Sequence, residues 1–291
     1  MRFLVVGFAM FALFFIVQGY LAEALELPEE IYNPLLIIRI MLAPVGWGAL
    51  PPDGLMHAVF YFAAFSGFSS FIGWRTNISL LIFTACMILL QGFIYSFGEI
   101  HHREAVLMIA LLVLAFAPCG RYWSIDSFRG RGFNQLVDSP ESSATHSEFA
   151  YWPIFVCKVF LALMYISAIA SKLSTSGLGW ANGYTLQALM GIDGLRWGSP
   201  LAIWMSQQHY LLMLGQIVVV IFQSTFWLVL FFPRLGYIYF PMGLAFHIMI
   251  FATLRAPFWH WMLLYFLFIP YTNIWRAIRG DIRYSDILSA A

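Results

Sequence analysis

A chain of 291 residues that is 62% hydrophobic and 10% charged cannot wet a globular surface, for which roughly 25% charged residues is usual. Its charges sit between long apolar runs, so lipid must solvate most of the surface. A net charge of +1 leaves no electrostatic footprint for nucleic acid. Only helices and closed barrels satisfy every backbone group in hydrocarbon. Barrel strands would alternate over roughly ten residues, whereas these runs reach about twenty without alternation. An all-α integral membrane protein of about eight transmembrane helices in a bundle is therefore expected.

The first apolar run, Phe3 to Leu21, follows Arg2 and is long enough to span. It ends in Ala22-Glu23-Ala24, a pattern a signal peptidase could cut, so residues 1–25 read as a signal anchor or a signal peptide. An acidic stretch with Glu23, Glu26, Glu29 and Glu30 leads into Pro34–Leu50. That segment is short and interrupted by Pro44 and glycines, and either spans or is re-entrant. Clear spans are expected at Met56–Gly73, Asn77–Phe97 and Ala105–Pro118. A polar linker, 120–148, is the one soluble excursion of any size. Tyr151–Ser171, a mixed segment Lys172–Gln207, and spans at His209–Phe232, Gly236–Leu254 and Phe258–Trp275 complete the bundle. The tail, 276–291, is basic, with Arg276, Arg279 and Arg283.

Cytoplasmic loops are enriched in Lys and Arg. Setting the Arg121/Arg129/Arg131 linker inside also sets Arg75, Arg234 and the tail inside, which gives a multi-pass cell-membrane protein with a cytoplasmic C-terminus. The turn His101–Glu104, the end of the helix at Lys172 and the turn at Arg255 then fall outside. Cys86, Cys119 and Cys157 show no metal-ligand spacing and read as small hydrophobes. No metal is expected, because the histidine cluster lacks a third ligand.

Ionisable groups at membrane depth are costly and mark function by default. The only two lysines, Lys158 and Lys172, lie fourteen residues apart on one predicted helix and share a face. Lys158 reads as an interfacial anchor. Lys172 is either an anchor or a general base, since enclosure among apolar side chains penalises the charged form of an amine. The run Glu99-Ile-His101-His102-Arg103-Glu104 precedes an apolar stretch of ~21 Å, too short to cross, so it lies at or within the membrane boundary. His247, inside Leu244-Ala-Phe-His-Ile-Met-Ile, is a helix-bridging hydrogen-bond partner or a site residue. On the orientation above, His102, Lys172 and His247 fall on the same, outer side.

Several motifs in order resemble the transmembrane core of the vitamin K-dependent γ-carboxylases and the wider HTTM ("horizontally transferred transmembrane") family over about residues 30–275. They are Leu36-Ile-Ile-Arg39-Ile; Gly73-Trp-Arg-Thr76; His102 followed by Tyr122-Trp-Ser-Ile-Asp126; Tyr165 to Lys172-Leu173 with Trp180 and Gly183-Tyr184; and Phe246-His247. The resemblance implies that Lys172 is the base that deprotonates vitamin K hydroquinone. Oxygen then yields a basic intermediate that removes a γ-proton from glutamate, and CO2 adds. It implies His102 and His247 in the same active-site region, with His101 as the alternative to His102, and Arg39, Trp180 and Tyr184 as binding residues. The chain departs from the carboxylases at Ser171-Lys172, where they carry two lysines, and at Gln223, where many relatives carry glutamate. Their large extramembrane domain is not expected here.

The resulting expectation is an HTTM-type membrane protein with an outer-side pocket lined by Lys172, His102 and His247. The pocket would take a reduced quinone (vitamin K hydroquinone or menaquinol) or another lipophilic small molecule, with a peptide substrate left open. Carboxylase-like or epoxidase-like chemistry is the expected activity. The rival reading is a non-catalytic membrane partner or immunity-type protein on the same scaffold, with the protein partner unspecified. A transporter is disfavoured by the missing internal repeat.

Overall fold

The computed structural model of the chain describes residues 1–45, 50–98, 104–121, 123–130, 143–256, 258–269 and 278. Every regular element among the described residues is helical. The chain divides into two compact units, Met1–Cys157 and Lys158–Ala291.

Unit 1 opens with α1, Arg2–Leu25, a continuous helix with a π turn at Leu13–Val17. A 3-10 turn at Glu29–Ile31 leads to α2, Leu36–Leu42, and a second at Ala43–Val45 follows. Then come α3, Asp53–Ile72; α4, Thr76–Tyr95; α5, Ala105–Phe116; and α6, Ile125–Gly130. α3 packs on α4, α4 on α5, and α1 on both α3 and α5. The α1–α3 contact is close because glycines line it: a Cβ on Gly67 would lie 2.2 Å from the Met10 sulfur, and one on Gly7 would lie 3.3 Å from Phe71. Small residues let helices approach without a hydrophobic drive between them, as lipid-solvated helices need. The helix α2 rises only ~10 Å, too little to cross. It packs tightly on α4, where a Cβ on Gly92 would lie 2.5 Å from Ile38.

One end of unit 1 is held by a polar clamp that joins two of the sequence motifs. The chain turns at Gly73 (φ 77°) and Arg75 (φ 43°) before entering α4. The first backbone N–H groups of a helix have no partner within it. Asp126, fifty residues on, supplies one: its carboxylate accepts from the Arg75 N–H (2.8 Å), the Thr76 N–H (2.7 Å) and the Thr76 hydroxyl (2.7 Å). Asn77 donates to the carbonyls of Ala115 (2.8 Å) and Ala117 (2.7 Å), tying the start of α4 to the end of α5. Arg2 is buried and donates to the carbonyls of Cys119 (3.0 Å) and Trp123. No side chain fits at position 73, where a Cβ would lie 2.2 Å from Ser124 and 2.6 Å from the Arg2 guanidinium.

The helix α7, Ser143–Ser176, begins in unit 1 and runs on through unit 2 to a 3-10 turn at Gly177–Asn182. Unit 2 continues with α8, Tyr184–Trp197; α9, Pro200–Ser206; and α10, His209–Thr225, extended by a 3-10 turn at Phe226–Leu230. After a 3-10 turn at Pro233–Leu235 come α11, Gly236–Leu254, and α12, Trp259–Tyr265, extended at Phe266–Phe268. α8 and α9 form a helical hairpin that packs on α10 and α11, and α12 packs on α11.

Among the described residues, six helices are long and apolar enough to cross a membrane: Arg2–Leu25, Asp53–Ile72, Thr76–Tyr95, Trp152–Asn182, His209–Leu230 and Pro233–Leu254. Two shorter apolar helices, Ala105–Phe116 and Trp259–Phe268, occupy the remaining two expected runs. The chain is a multi-pass helical membrane protein by this measure.

Candidate functional site

The face of α7 in unit 2 is set by a seven-residue repeat. Lys158, Tyr165 and Lys172 fall two turns apart on one side of the helix, and Leu161, Ala162 and Ile169 are buried between them. Lys158 Nζ lies over the Phe268 ring at 4.8 Å. Lys172 is half-buried, donates to the Ala168 carbonyl at 3.2 Å and lies over the Trp180 indole at 5.4 Å. Its ammonium thus reaches back along α7 toward Tyr165, which is ~10 Å further down the helix axis.

Tyr165 is the centre of the site. Its side chain is 1% exposed and is enclosed by Phe222 and Phe226 of the α10 segment (ring centres 5.1 and 4.6 Å) and Trp261 of α12 (5.2 Å). Its hydroxyl bonds His247 Nε2 of α11 at 2.9 Å and the hydroxyl of Tyr265 of α12. Three helices therefore contribute one polar atom each to a chain of two phenols and an imidazole. Gly243, one turn before His247 on α11, makes room for it: a Cβ there would lie 2.2 Å from the Tyr265 hydroxyl.

The chain has an open end. His247 is buried, and its Nδ1 has no hydrogen-bond partner among the described residues. If Tyr165 donates to Nε2, a neutral imidazole carries its proton on Nδ1, an N–H with nothing to accept it. If Nε2 donates instead, Nδ1 is a lone pair with nothing to donate to it. A buried polar group left this way costs about 1–3 kcal/mol, and hydrocarbon offers no water to relieve it.

Two buried glutamines of α10 repeat the pattern. Gln216 accepts the Gly183 N–H through Oε1, and because a backbone N–H can only donate, this fixes the amide orientation. Among the described residues its Nε2 is then a donor without a partner, and Gln223 Oε1, seven residues on, is an acceptor without one. Near the start of α10, His209 Nδ1 bonds Gln187 Oε1 at 3.1 Å, and the Tyr184 ring packs against His209 at 4.4 Å, tilted by 39°.

Of the residues expected from the sequence, Lys172 and Trp180 meet directly, and His247 joins Tyr165. Tyr184 is exposed and contacts His209. Arg39 belongs to unit 1, is exposed, and folds back on its own segment, donating to the Pro34 carbonyl (2.9 Å) and Asn33 Oδ1 (3.3 Å). His101 and His102 lie outside the described residues, as does Tyr122. The reading of His247 as a helix-bridging partner holds for Nε2, while Nδ1 remains open for other use. Sequence reasoning missed Tyr265, Gly243 and Gln216. The spacings Gly243/His247 and His209/Gln216/Gln223 carried a signal, since residues four and seven apart share a helix face.

Compared with known proteins, the chain matches no family model, no curated protein and no solved structure.

Proposed function

We propose that this is an HTTM-type membrane protein that binds a reduced quinone, or another lipophilic molecule with a dioxygenated ring, in unit 2, with Lys172 as the base. The observation that carries this reading is the buried Tyr265–Tyr165–His247 chain, whose Nδ1 has no partner among the described residues, with Tyr165 on the same face of α7 as Lys172. Lipophilic-ligand sites are mostly aromatic with a few convergent polar groups, and the rings around Tyr165 supply such a wall. The leftover atoms suit a quinol in kind: Gln216 Nε2 offers a donor, Gln223 Oε1 an acceptor, and His247 Nδ1 either.

In this reading Lys172, as the free amine, takes a hydroxyl proton from the ring, and Trp180 holds the resulting ammonium by its face. The phenol pair fixes the His247 ring so that Nδ1 keeps one orientation. The site opens toward the outer leaflet, and the C-terminus is cytoplasmic. A bound quinol supplies the reducing power for epoxidation by oxygen, and a carboxylation partner would be a separate substrate. The non-catalytic reading draws on the Tyr165–His247 bond alone, which is what helix-to-helix adhesion in lipid requires.

The test is to purify the protein and titrate menaquinol and vitamin K hydroquinone while following epoxide formation, with Lys172→Ala as control. Saturable binding by both proteins and turnover only by the wild type is expected. Absence of binding by the wild type removes the quinone reading, and equal turnover by the variant removes the base.

A further inference from the structure

The Tyr265–Tyr165–His247 chain can carry its protons in two directions, and the two are not equivalent. A phenol has one O–H to donate and a neutral imidazole one N–H. Directed toward the histidine, Tyr265 donates to the Tyr165 oxygen and Tyr165 donates to His247 Nε2. Every proton then has an acceptor except the one on Nδ1. Directed the other way, Nε2–H donates to Tyr165 and Tyr165 donates to Tyr265. The Tyr265 proton is then stranded, because among the described residues its hydroxyl has no hydrogen-bond partner besides Tyr165. Nδ1 is stranded as well, as a lone pair. The first arrangement strands one buried polar group and the second strands two.

Burial makes the difference count. The rings of Phe246 (5.1 Å), Phe258 (5.4 Å) and Trp261 (5.8 Å) close on His247, and Tyr265 is itself buried. Beside its hydroxyl the backbone of Gly243 is so near that a Cβ there would lie 2.2 Å away. A stranded group in such a place keeps its desolvation penalty in full. An imidazolium is no remedy, since it buries a charge and no carboxylate bonds His247 among the described residues. The tautomer of a histidine follows from the network around it, and here the network points one way.

We infer that His247 is locked as the Nδ1–H tautomer, a fixed hydrogen-bond donor, so that the site takes its ligand through an acceptor oxygen, a carbonyl or a ring-oxygen anion. The identity of that ligand rests on the quinone reading, which this deepens. With Nε2 engaged by Tyr165 and Nδ1 already protonated, His247 has no free lone pair and is not a base. That role stays with Lys172. Nδ1–H suits the quinolate that Lys172 leaves on taking a hydroxyl proton, because a hydrogen bond to an anionic oxygen is about twice as strong as a neutral one. Tyr165 and Tyr265 are positioning residues that act through His247.

The test uses the full-length chain with isotope-labelled histidine in lipid nanodiscs, near neutral pH and without ligand. Solid-state correlation spectra identify the protonated ring nitrogen by its one-bond carbon partner, Cγ for Nδ1 and Cδ2 for Nε2. The His247 signals are those lost in His247→Gln or, where that variant aggregates, in His247→Leu. In the wild type the protonated nitrogen is expected to pair with Cγ, in excess by about tenfold, as one stranded buried group implies. In Tyr165→Phe, which strands Nε2 in either tautomer, the two forms are expected in comparable amounts. A wild type that pairs with Cδ2, shows both forms equally or carries both protons would overturn the proposal. An unchanged tautomer in Tyr165→Phe would overturn the part given to the phenols. Oxidised menaquinone, which only accepts hydrogen bonds, is then titrated, and His247→Leu is expected to bind it about tenfold more weakly than the wild type. Equal menaquinone binding alongside weakened menaquinol binding would overturn the donor assignment. If neither quinone binds the wild type, the quinone reading falls and the ligand class with it, while the tautomer still stands or falls on the ligand-free spectra.

Discussion

At the scale of single residues, Asp126 and Gly243 do the most specific work. The Asp126 carboxyl is held below its ordinary value: partial burial raises it, but the Thr76 and Arg75 donors, with Arg2 nearby, outweigh that effect. A depressed folded-state value means the stabilisation is fully present above the ordinary carboxylate range. It is lost as pH falls from that range through the lower folded-state value. Thermal melts of the detergent-solubilised protein should therefore show stability declining with acid below about pH 4, and Asp126→Ala should remove this acid dependence. It should also cost about 1 kcal/mol at neutral pH, as loss of a helix N-terminal acceptor usually does. Burial pushes the nearby Cys119 thiol up to about 11, so at neutral pH it stays a thiol, and maleimide labelling should be slow. Gly243→Ala would drive a methyl into the Tyr265 hydroxyl. The expected result is loss of the Tyr165–Tyr265 bond, seen as a changed tyrosine band in ultraviolet difference spectra. A spectrum unchanged from wild type would contradict the packing described.

At the scale of elements, α1 is a structural member of unit 1. Val5, Ala9, Leu13, Val17 and Leu21 are buried along it, Arg2 joins the clamp, and Gly7 and Gly67 bring α1 against α3. Of the two readings of residues 1–25, the retained anchor fits this packing. The intact mass of the purified protein should include them, and a mass short of residues 1–24 would contradict it. The spans were legible in sequence because length and apolarity alone define them. The Gly73–Thr76 and Tyr122–Asp126 motifs were visible as motifs, but their meaning as a helix-end clamp depends on a fifty-residue separation closing in space. The hairpin α8–α9 was opaque for a different reason. Its two short pieces fit neither a span nor a polar loop, and its place is fixed by partners on other helices, His209 and Gln216 at one end and Ala252 at the other.

At the scale of the molecule, the protein is a helical membrane protein of two units, and the functional account rests on unit 2. Composition pointed to Lys172 and His247 because charged and imidazole side chains are rare in apolar runs. It could not point to Tyr165 and Tyr265, since tyrosine is common among 14 in this chain and only the crossing of α7, α11 and α12 makes these two special. The most direct measurement is menaquinol titration, by fluorescence quenching, of the purified wild type alongside His247→Leu, with Lys158→Met as a control for a lysine outside the site. The account predicts saturable binding by the wild type and the control, and binding weaker by about tenfold, or ~1.4 kcal/mol, in His247→Leu. Equal binding by all three proteins, or no saturable binding by the wild type, would contradict it.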